Sequence, residues 1–194
     1  MKLMFTFSLL FSVFTSWAQI NKGQFLVGGS GTFYANSYSM SESKNRGFYI
    51  EGRSGIFLID KMAAGVQLGY SYVKEFYTLN TGERHQQFSR DFSTGPFLRY
   101  YILAAEKKIN FLVDGSYYHK WSKSGVLRSS VEKSYGYAFG AGPAFFLNPN
   151  ISLETTLNYE YNDELRDSKK FKFKVGFQAH LTKRKTSPKQ GIND

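Results

Sequence analysis

The amino-acid sequence predicts an all-β protein, an eight-stranded antiparallel up-and-down transmembrane β-barrel. Three observations lead to this fold class. Eight segments alternate apolar and polar residues, long and short connections alternate between them, and the 194-residue chain is rich in glycine, phenylalanine and tyrosine. Alternation of this kind places every second side chain on one face of a strand. The length corresponds to a single domain with short appendages.

The composition excludes several other classes. The chain has no cysteine, so a disulfide framework, a thiolate metal site and a cysteine nucleophile are all ruled out. Its 18% aromatic content is too high for a disordered protein. Its mean hydropathy of -0.37 is too low for a bundle of membrane-spanning helices.

The first residues have the pattern of a secretory signal peptide. Lys2 is followed by an apolar run over residues 3–14, and Ser16 and Ala18 place small residues at the two positions that signal peptidase reads. We therefore expect residues 1–18 to be a signal peptide that is cleaved between Ala18 and Gln19. The alternative is an N-terminal anchor, but the run is shorter than the roughly 20 residues of a spanning helix.

The alternation is clearest in residues 151–161, where Ile151 and Leu153 share one face and Ser152 and Glu154 the other. We expect a barrel domain over residues 19–181, with strands whose lengths match or exceed the roughly 9–11 residues of a tilted spanning strand. The eight predicted strands cover residues 24–34, 48–59, 64–72, 89–102, 108–120, 134–147, 151–161 and 170–181.

The connections between these strands differ in length in a regular way. Short turns are predicted at residues 60–61, 103–107 and 148–150. Longer polar connections are predicted at residues 35–47, 74–88 and 121–133, and a connection of intermediate length at residues 162–168. With an even number of strands, all the long connections fall at one end of a barrel, which is the asymmetry of membrane barrels.

A short motif recurs before each predicted turn, at Gly55, at Gly95-Pro96 and at Gly142-Pro143. Proline cannot donate to a strand ladder, and a closed barrel has no edge strand to receive it. We therefore expect bulges or bends at Pro96 and Pro143.

The aromatic residues indicate which face points outward. A soluble, lipocalin-like barrel would turn its apolar face inward, whereas a membrane barrel turns it toward lipid. Here the apolar face is bulky and its aromatic residues collect near both strand ends, as in two interfacial girdles, which favours the membrane. At the turn end they are Phe25, Tyr100, Phe111 and Phe145. At the loop end the predicted girdle consists of Tyr70, Tyr72, Tyr117, Trp121, Tyr135, Tyr137, Tyr159 and Tyr161.

The polar face carries charges of both signs, which a narrow lumen tolerates only when they are paired. We predict a lumen charge network in which Glu154 and Glu160 lie beside Lys172 and Lys174 on the next strand. The alternative is an ordinary solvated strand face with a random mixture of charges. The predicted network comprises Glu51, Arg53, Arg99, Asp114, Glu154, Glu160, Lys172 and Lys174.

From residue 24 to residue 181 the chain resembles the small eight-stranded outer-membrane β-barrels of OmpA/OmpX type. The resemblance rests on the signal, the strands, the loop asymmetry and the Gly-Pro-Phe-Leu-Arg-Tyr-Tyr strand that begins at Gly95. The closing segment, residues 174–181, is similar to the family's assembly signal, although Ala179 replaces a larger apolar residue and the chain continues past Leu181. The resemblance implies a location in the cell outer membrane and insertion by the barrel-assembly machinery.

The net charge of +10 belongs mainly to one end of the chain. Residues 169–194 contain eight basic residues and one acidic residue, and residues 182–194 form a basic tail that we expect to be disordered. No nucleic-acid motif accompanies the charge, so we predict no nucleic-acid partner.

We predict no enzyme activity, no cofactor and no metal site. His119 and Ser122 are the nearest approach to a lipid-hydrolysing barrel enzyme, in which a histidine takes the proton of a serine. Those enzymes place the two residues two apart on one strand face, and Trp121 occupies that position here.

The functional prediction is a monomeric barrel with a structural or surface-interaction role and a lumen plugged by charged and polar side chains. Its expected partners are outer-membrane lipid and lipopolysaccharide, with external loop partners left open. The alternatives are a porin-like small pore for ions or apolar solutes and, least favoured, a lipid-modifying barrel enzyme.

Overall fold

The computed structural model describes residues 20–38, 43–78, 84–125, 131–163 and 168–182. The predicted signal peptide at residues 1–18 and residues 183–194 of the predicted tail lie outside the described residues, and both remain predictions. Among the described residues, no helix has the length and apolar character needed to cross a membrane.

Eight antiparallel strands form one closed barrel in which every strand pairs with its neighbours in the sequence and β8 returns to β1. This arrangement confirms the predicted eight-stranded, up-and-down fold. The strands are β1 (Phe25–Tyr38), β2 (Ser43–Ile59), β3 (Met62–Thr78), β4 (Arg84–Tyr101), β5 (Ile109–Ser124), β6 (Val131–Asn148), β7 (Ile151–Asn162) and β8 (Ser168–Leu181).

The strands are longer than the sequence predicted, and the long connections are correspondingly shorter. Most of residues 35–47, predicted as a loop, belongs to β1 and β2, which pair as far as Tyr38↔Ser43. Residues 74–88 and 121–133 likewise lie mainly in strands. The apolar alternation that marks a strand disappears where both faces carry polar residues, although the backbone ladder continues there.

The two faces of the wall differ in character. Outward-facing side chains such as Val66, Leu68, Leu98 and Leu157 are half-exposed or more and form an apolar belt around the barrel. The intervening positions are buried in the interior, where most of the side chains are polar or charged. A barrel whose apolar face is outside and whose polar face is inside has the arrangement expected in lipid.

The prolines do not produce the predicted bulges. The β4–β5 register is the same on both sides of Pro96, at Thr94↔His119 and Phe97↔Ser116. The β6–β7 register is likewise unchanged across Pro143. The shifts in register lie instead beside short turns, between Phe57 and Ile59 and between Phe146 and Asn148.

Glycine explains how the prolines fit. A Cβ atom at Gly95 would collide with the carbonyl oxygen of Tyr117, and one at Gly142 with that of Thr155. The neighbouring strand therefore approaches the glycine closely at the place where the proline interrupts the ladder. The Gly-Pro pair keeps the register by close approach instead of by a bulge.

The closure between β1 and β8 covers only part of these two strands. Their ladder runs from Phe25↔Leu181 to Gly31↔Val175, in the half of the barrel nearer the short turns. Toward the loops, β1 continues to Tyr38 paired with β2, and β8 begins at Ser168 paired with β7. We call the stretch between residues 32–38 and 168–174, where no β1–β8 pairs are described, the seam.

Candidate functional site: the barrel lumen

The lumen has three levels between the short turns and the loops. Apolar side chains fill the level nearest the turns, a set of ion pairs lies above them, and a cavity occupies the loop-side half. The three levels differ in chemistry, so each is described separately.

The level nearest the turns, which we call the apolar layer, is a small hydrophobic core inside the barrel. It was missed in the sequence, where the lumen face was expected to carry small and charged residues. Its aromatic rings contact one another, with 6.1 Å between the ring centroids of Phe57 and Tyr101. The layer consists of Ile20, Leu26, Phe57, Ala63, Phe97, Tyr101, Leu112, Ala144 and Phe146.

Residues before β1 contribute to the apolar layer. The side chain of Ile20 is fully buried, and its carbonyl oxygen accepts a hydrogen bond from the Lys61 amide at 3.2 Å. The Gly23 amide donates to the carbonyl of Phe57, whose own amide donates to the carbonyl of Gln24. The segment before the first strand is therefore tied into the turn end of the barrel.

The ion pairs above the apolar layer begin with two arginines that share one carboxylate. Arg53 Nη1 and Arg99 Nη2 each lie 2.9 Å from Asp114 Oδ2. Arg53 Nε also contacts Glu51 Oε1 at 2.5 Å, and Arg99 Nη1 lies 2.6 Å from Glu154 Oε2. All of these side chains are almost completely buried, so the pairs are shielded from solvent.

Lysines from β8 extend this cluster toward the loops. Lys174 Nζ lies 3.3 Å from both Glu51 Oε2 and Glu160 Oε1, and Lys172 Nζ lies 2.6 Å from Glu160 Oε2. The structure thus brings together all eight residues of the predicted charge network. They form one chain in which the sign of the charge alternates, which we call the ion-pair chain. Its order is Glu154, Arg99, Asp114, Arg53, Glu51, Lys174, Glu160 and Lys172.

One pairing differs from the expectation. Glu160 contacts the two lysines of the adjacent strand, but Glu154 reaches across the lumen to Arg99 and also accepts a hydrogen bond from Tyr101 Oη at 2.7 Å. Alternation in sequence identifies the residues that face the lumen. It does not identify contacts across the lumen, because these depend on the stagger of the strands.

A buried histidine joins the apolar layer to the ion pairs. His180 is fully buried, and its ring lies 5.6 Å from that of Phe57. Its Nε2 atom is 3.5 Å from Ser152 Oγ, and that hydroxyl donates to Glu154 Oε1 at 3.2 Å. The sequence placed His180 only at the end of the last strand. Because Ser152 is fully buried, this serine–histidine contact has no access for a substrate.

The loop-side half of the lumen holds a cavity of about 820 Å³. Its lining is mixed in charge, with Glu75 and Asp91 on one wall and Lys170, Lys172 and Lys174 on β8. Tyr49 lies between the ion-pair chain and the cavity. Its hydroxyl donates to Glu51 at 2.7 Å, and Lys172 Nζ sits 4.7 Å from its ring centroid.

The aromatic residues predicted as the loop-end girdle lie on the outward face, and many contact another ring. Tyr137 stacks on Tyr161 with 4.9 Å between centroids. Trp121 lies 5.9 Å from Phe92, and Tyr159 lies 5.5 Å from Phe171. Tyr70 and Tyr72 both contact Phe48, and Tyr117 contacts Tyr135.

The structure separates the one candidate pair for catalysis. His119 is exposed on the outward face of β5, whereas Ser122 is buried on the lumen side. Neither can therefore act on the other. The described residues also contain no group of three or more histidine, cysteine or acidic side chains placed to hold a metal ion.

Comparison with known proteins identifies the fold. No protein-family model matches the chain, and no curated protein matches it in sequence. Solved structures do match. The N-terminal β-barrel domain of Pseudomonas aeruginosa OprF aligns with a TM-score of 0.52 and 15% identity, covering 83% of this chain and 98% of that domain.

Two further structures give the same result. Neisserial surface protein A aligns with a TM-score of 0.57 and 14% identity, over 82% of this chain and 97% of that one. The outer membrane protein OprG of Pseudomonas aeruginosa aligns with a TM-score of 0.51 and 10% identity, over 84% and 98%. The chain therefore has the fold of the small eight-stranded outer-membrane β-barrels.

Proposed function

We propose that this protein is an outer-membrane barrel with a sealed lumen, which serves a structural or surface-interaction role. The observation that carries the proposal is the stacking of the ion-pair chain directly on the apolar layer. A conducting pore needs a continuous path of water, and these two levels fill the lumen on the turn side of the cavity.

The balance of charge supports a sealing role for the ion-pair chain. Its four basic and four acidic side chains neutralise one another. Buried charges are stable only when they are paired and hydrogen-bonded, so separating them to admit an ion is costly. At the level of the apolar layer beneath, the hydroxyl of Tyr101 is already bonded to Glu154, and the buried ring of His180 packs against Phe57 and lies beside Ser152.

The outer surface supports a location in the outer membrane. The apolar belt is flanked at the loop end by outward-facing aromatic residues such as Tyr137 and Trp121, which are typical of membrane interfaces. In barrels of this type the short turns face the periplasm and the long connections face outward. The strands that extend beyond the belt would therefore present a surface outside the cell.

The decisive experiment is conductance in planar lipid bilayers. Purified protein is inserted at low density, and current is recorded at both polarities. A sealed lumen predicts no reproducible current steps. Well-defined unitary steps would contradict the proposal and support the alternative of a small pore for ions.

The membrane assignment has an independent test in gel electrophoresis. A folded membrane barrel resists detergent until boiled, so unboiled and boiled samples should migrate differently. A monomeric protein that stays in solution without detergent would contradict the assignment.

A non-enzymatic role is part of the same proposal and has its own assay. Purified barrel is incubated with outer-membrane lipid, and lipid products are measured. We expect no turnover by the native protein. Turnover that the His119→Ala substitution abolishes would support the enzyme alternative and contradict this one.

A further inference from the structure

The seam between β1 and β8 is a gap in the backbone ladder of the barrel wall. The last described β1–β8 pair is Gly31↔Val175. Beyond it, Thr32 and Phe33 pair only with β2, and Phe173 and Lys174 pair only with β7. Within the part of the chain that the structure describes, these two strand edges face each other without a shared ladder.

The cavity borders this gap. Phe171 and Phe173 occupy outward-facing positions of β8 and are 72% and 59% exposed, yet both line the cavity together with Thr32. Residues of the outward face border an interior cavity through their backbone or through a gap in the wall, and beside Phe173 no β1–β8 pair is described. The cavity therefore reaches the two strand edges at the seam.

The strand edges of the seam are linked by the backbone ladder to the loop-end girdle. Phe33 is in register with Phe48, which pairs with Tyr72, and Phe171 pairs with Tyr159. Both tyrosines belong to the loop-end girdle, so the edges of the seam are joined by the ladder to aromatic residues of the kind that lie at the membrane interface. Backbone N–H and C=O groups without partners are costly next to hydrocarbon, so the open strand edges favour water or a polar ligand group in the seam.

The two edges of the seam differ in charge. Residues 32–38 of β1 contain no charged side chain, whereas the β8 edge carries Lys169, Lys170, Lys172 and Lys174. Lys170 is exposed and lines the cavity outside the neutral ion-pair chain. The Lys172 side chain keeps 27% of its surface exposed although it pairs with Glu160. Because Lys172 and Lys174 are paired with carboxylates, the excess of positive charge on this side of the seam comes from Lys169 and Lys170.

We propose that the seam and the cavity behind it form a binding site for an anionic membrane lipid. The phosphate of the lipid lies against Lys170 and Lys172 and accepts hydrogen bonds from the open strand edges. Its acyl chain leaves the barrel between Phe33 and the pair Phe171 and Phe173. This site shares only Lys172, the loop-side end of the ion-pair chain, with the residues that close the lumen, so it is compatible with a sealed lumen but does not depend on it.

The site can be tested by fluorescence, because the chain has no native cysteine. Ala35, exposed on β1 beside the seam, is replaced by cysteine and labelled with an environment-sensitive dye. The labelled barrel is placed in phosphatidylcholine nanodiscs with increasing mole fractions of phosphatidylglycerol. We expect a saturable change in fluorescence that requires the anionic lipid.

The variants separate a lysine site from a general effect of charge. The K170Q/K172Q variant lacks the charge-assisted contacts of the two lysines with the phosphate. Its half-saturating fraction of phosphatidylglycerol should therefore be about tenfold higher than that of the native protein. The single K170Q variant, at an exposed position, gives a smaller shift in the same direction and controls for folding. The matched control K123Q/K133Q removes two exposed lysines at the same end of the barrel and should leave the response unchanged.

Three results would overturn the proposal. The first is an equal response in phosphatidylcholine alone. The second is an equal response to inorganic phosphate, which would show that the acyl chain is not recognised. The third is an equal loss in K123Q/K133Q, which would show that net charge and not the seam determines binding.

Discussion

Arg99 on β4 lies 2.6 Å from Glu154 on β7, a strand with which β4 shares no backbone ladder. The contact therefore crosses the lumen instead of following the wall. The same guanidinium holds Asp114 on β5, so one side chain connects three strands. Interactions of this kind hold strands on different sides of the barrel at a fixed separation, and they also neutralise the buried carboxylates.

Removing Arg99 should therefore destabilise the barrel strongly. In the Arg99→Met variant, Glu154 and Asp114 lose a buried partner, and the expected loss in the free energy of unfolding is about 3–5 kcal/mol. Urea unfolding in lipid vesicles, followed by the gel shift of unboiled samples, measures it. Arg90→Met is the control, because Arg90 is exposed on the outward face, and its effect should be below about 1 kcal/mol. Equal effects of the two substitutions would contradict a central role for Arg99.

The glycine before each proline should not tolerate a side chain. Gly142→Ala would force a methyl group against the Thr155 carbonyl, and such overpacking costs about 1–3 kcal/mol. Gly52→Ala is a matched control in another strand, since nothing lies within 4 Å of the added carbon. The rate and yield of folding into vesicles measure both. If Gly142→Ala folded as well as Gly52→Ala, the close-approach explanation of the Gly-Pro motif would be wrong.

A charge in the apolar belt should impair the folded state in lipid. Leu68 faces outward and is 55% exposed, and Leu68→Arg should cost about 2–4 kcal/mol if it lies near the bilayer centre. Leu103 is also exposed but lies in the connection between β4 and β5, where arginine should be tolerated. Unfolding in vesicles compares the two variants. A water-facing belt would instead tolerate both substitutions equally.

The apolar layer should depend on the residue that precedes the first strand. Ile20→Ala removes buried methyl groups and should lower the free energy of unfolding by about 2–4 kcal/mol. The control is Ile109→Ala, an outward-facing position at the same end of the barrel. Thermal unfolding in detergent provides the comparison. A loss confined to Ile109→Ala would show that Ile20 is not part of the stabilising core.

The sequence was most informative about features that alternation encodes directly. The eight strands and the lumen-facing positions of residues such as Glu51 and Lys174 follow from a two-residue period, and the antiparallel order follows from the short connections. The lengths of the strands were underestimated because, near the loops, both faces carry polar residues. The apolar–polar alternation is lost there although the backbone ladder continues. The bulges expected at Pro96 and Pro143 were wrong because glycine provides another way to accommodate them.

Features that depend on the stagger between strands could not be read from one chain. The contact of Arg99 with Glu154, the clustering of Phe57 with Tyr101 and the proximity of His180 to Ser152 all join residues distant in sequence. The alternation places the charged side chains in the lumen, but several different sets of ion pairs among them are consistent with it. The incomplete β1–β8 ladder is of the same kind, because it is a relationship between the two strands furthest apart in the sequence.

The Gln24 side chain donates to the hydroxyl of Thr182 at 3.1 Å, so the segment that enters β1 and the one that leaves β8 meet at the turn end of the barrel. The same barrel could therefore be formed by a polypeptide that begins at a different strand. A short peptide linking these two points, with new ends cut in a loop, would give a circularly permuted chain with the same neighbours for every strand. In that permuted chain β1 and β8 would be joined by the linker. If their ladder stayed incomplete, its gap would be due to the sequence of the two strands and not to their position at the ends of the chain.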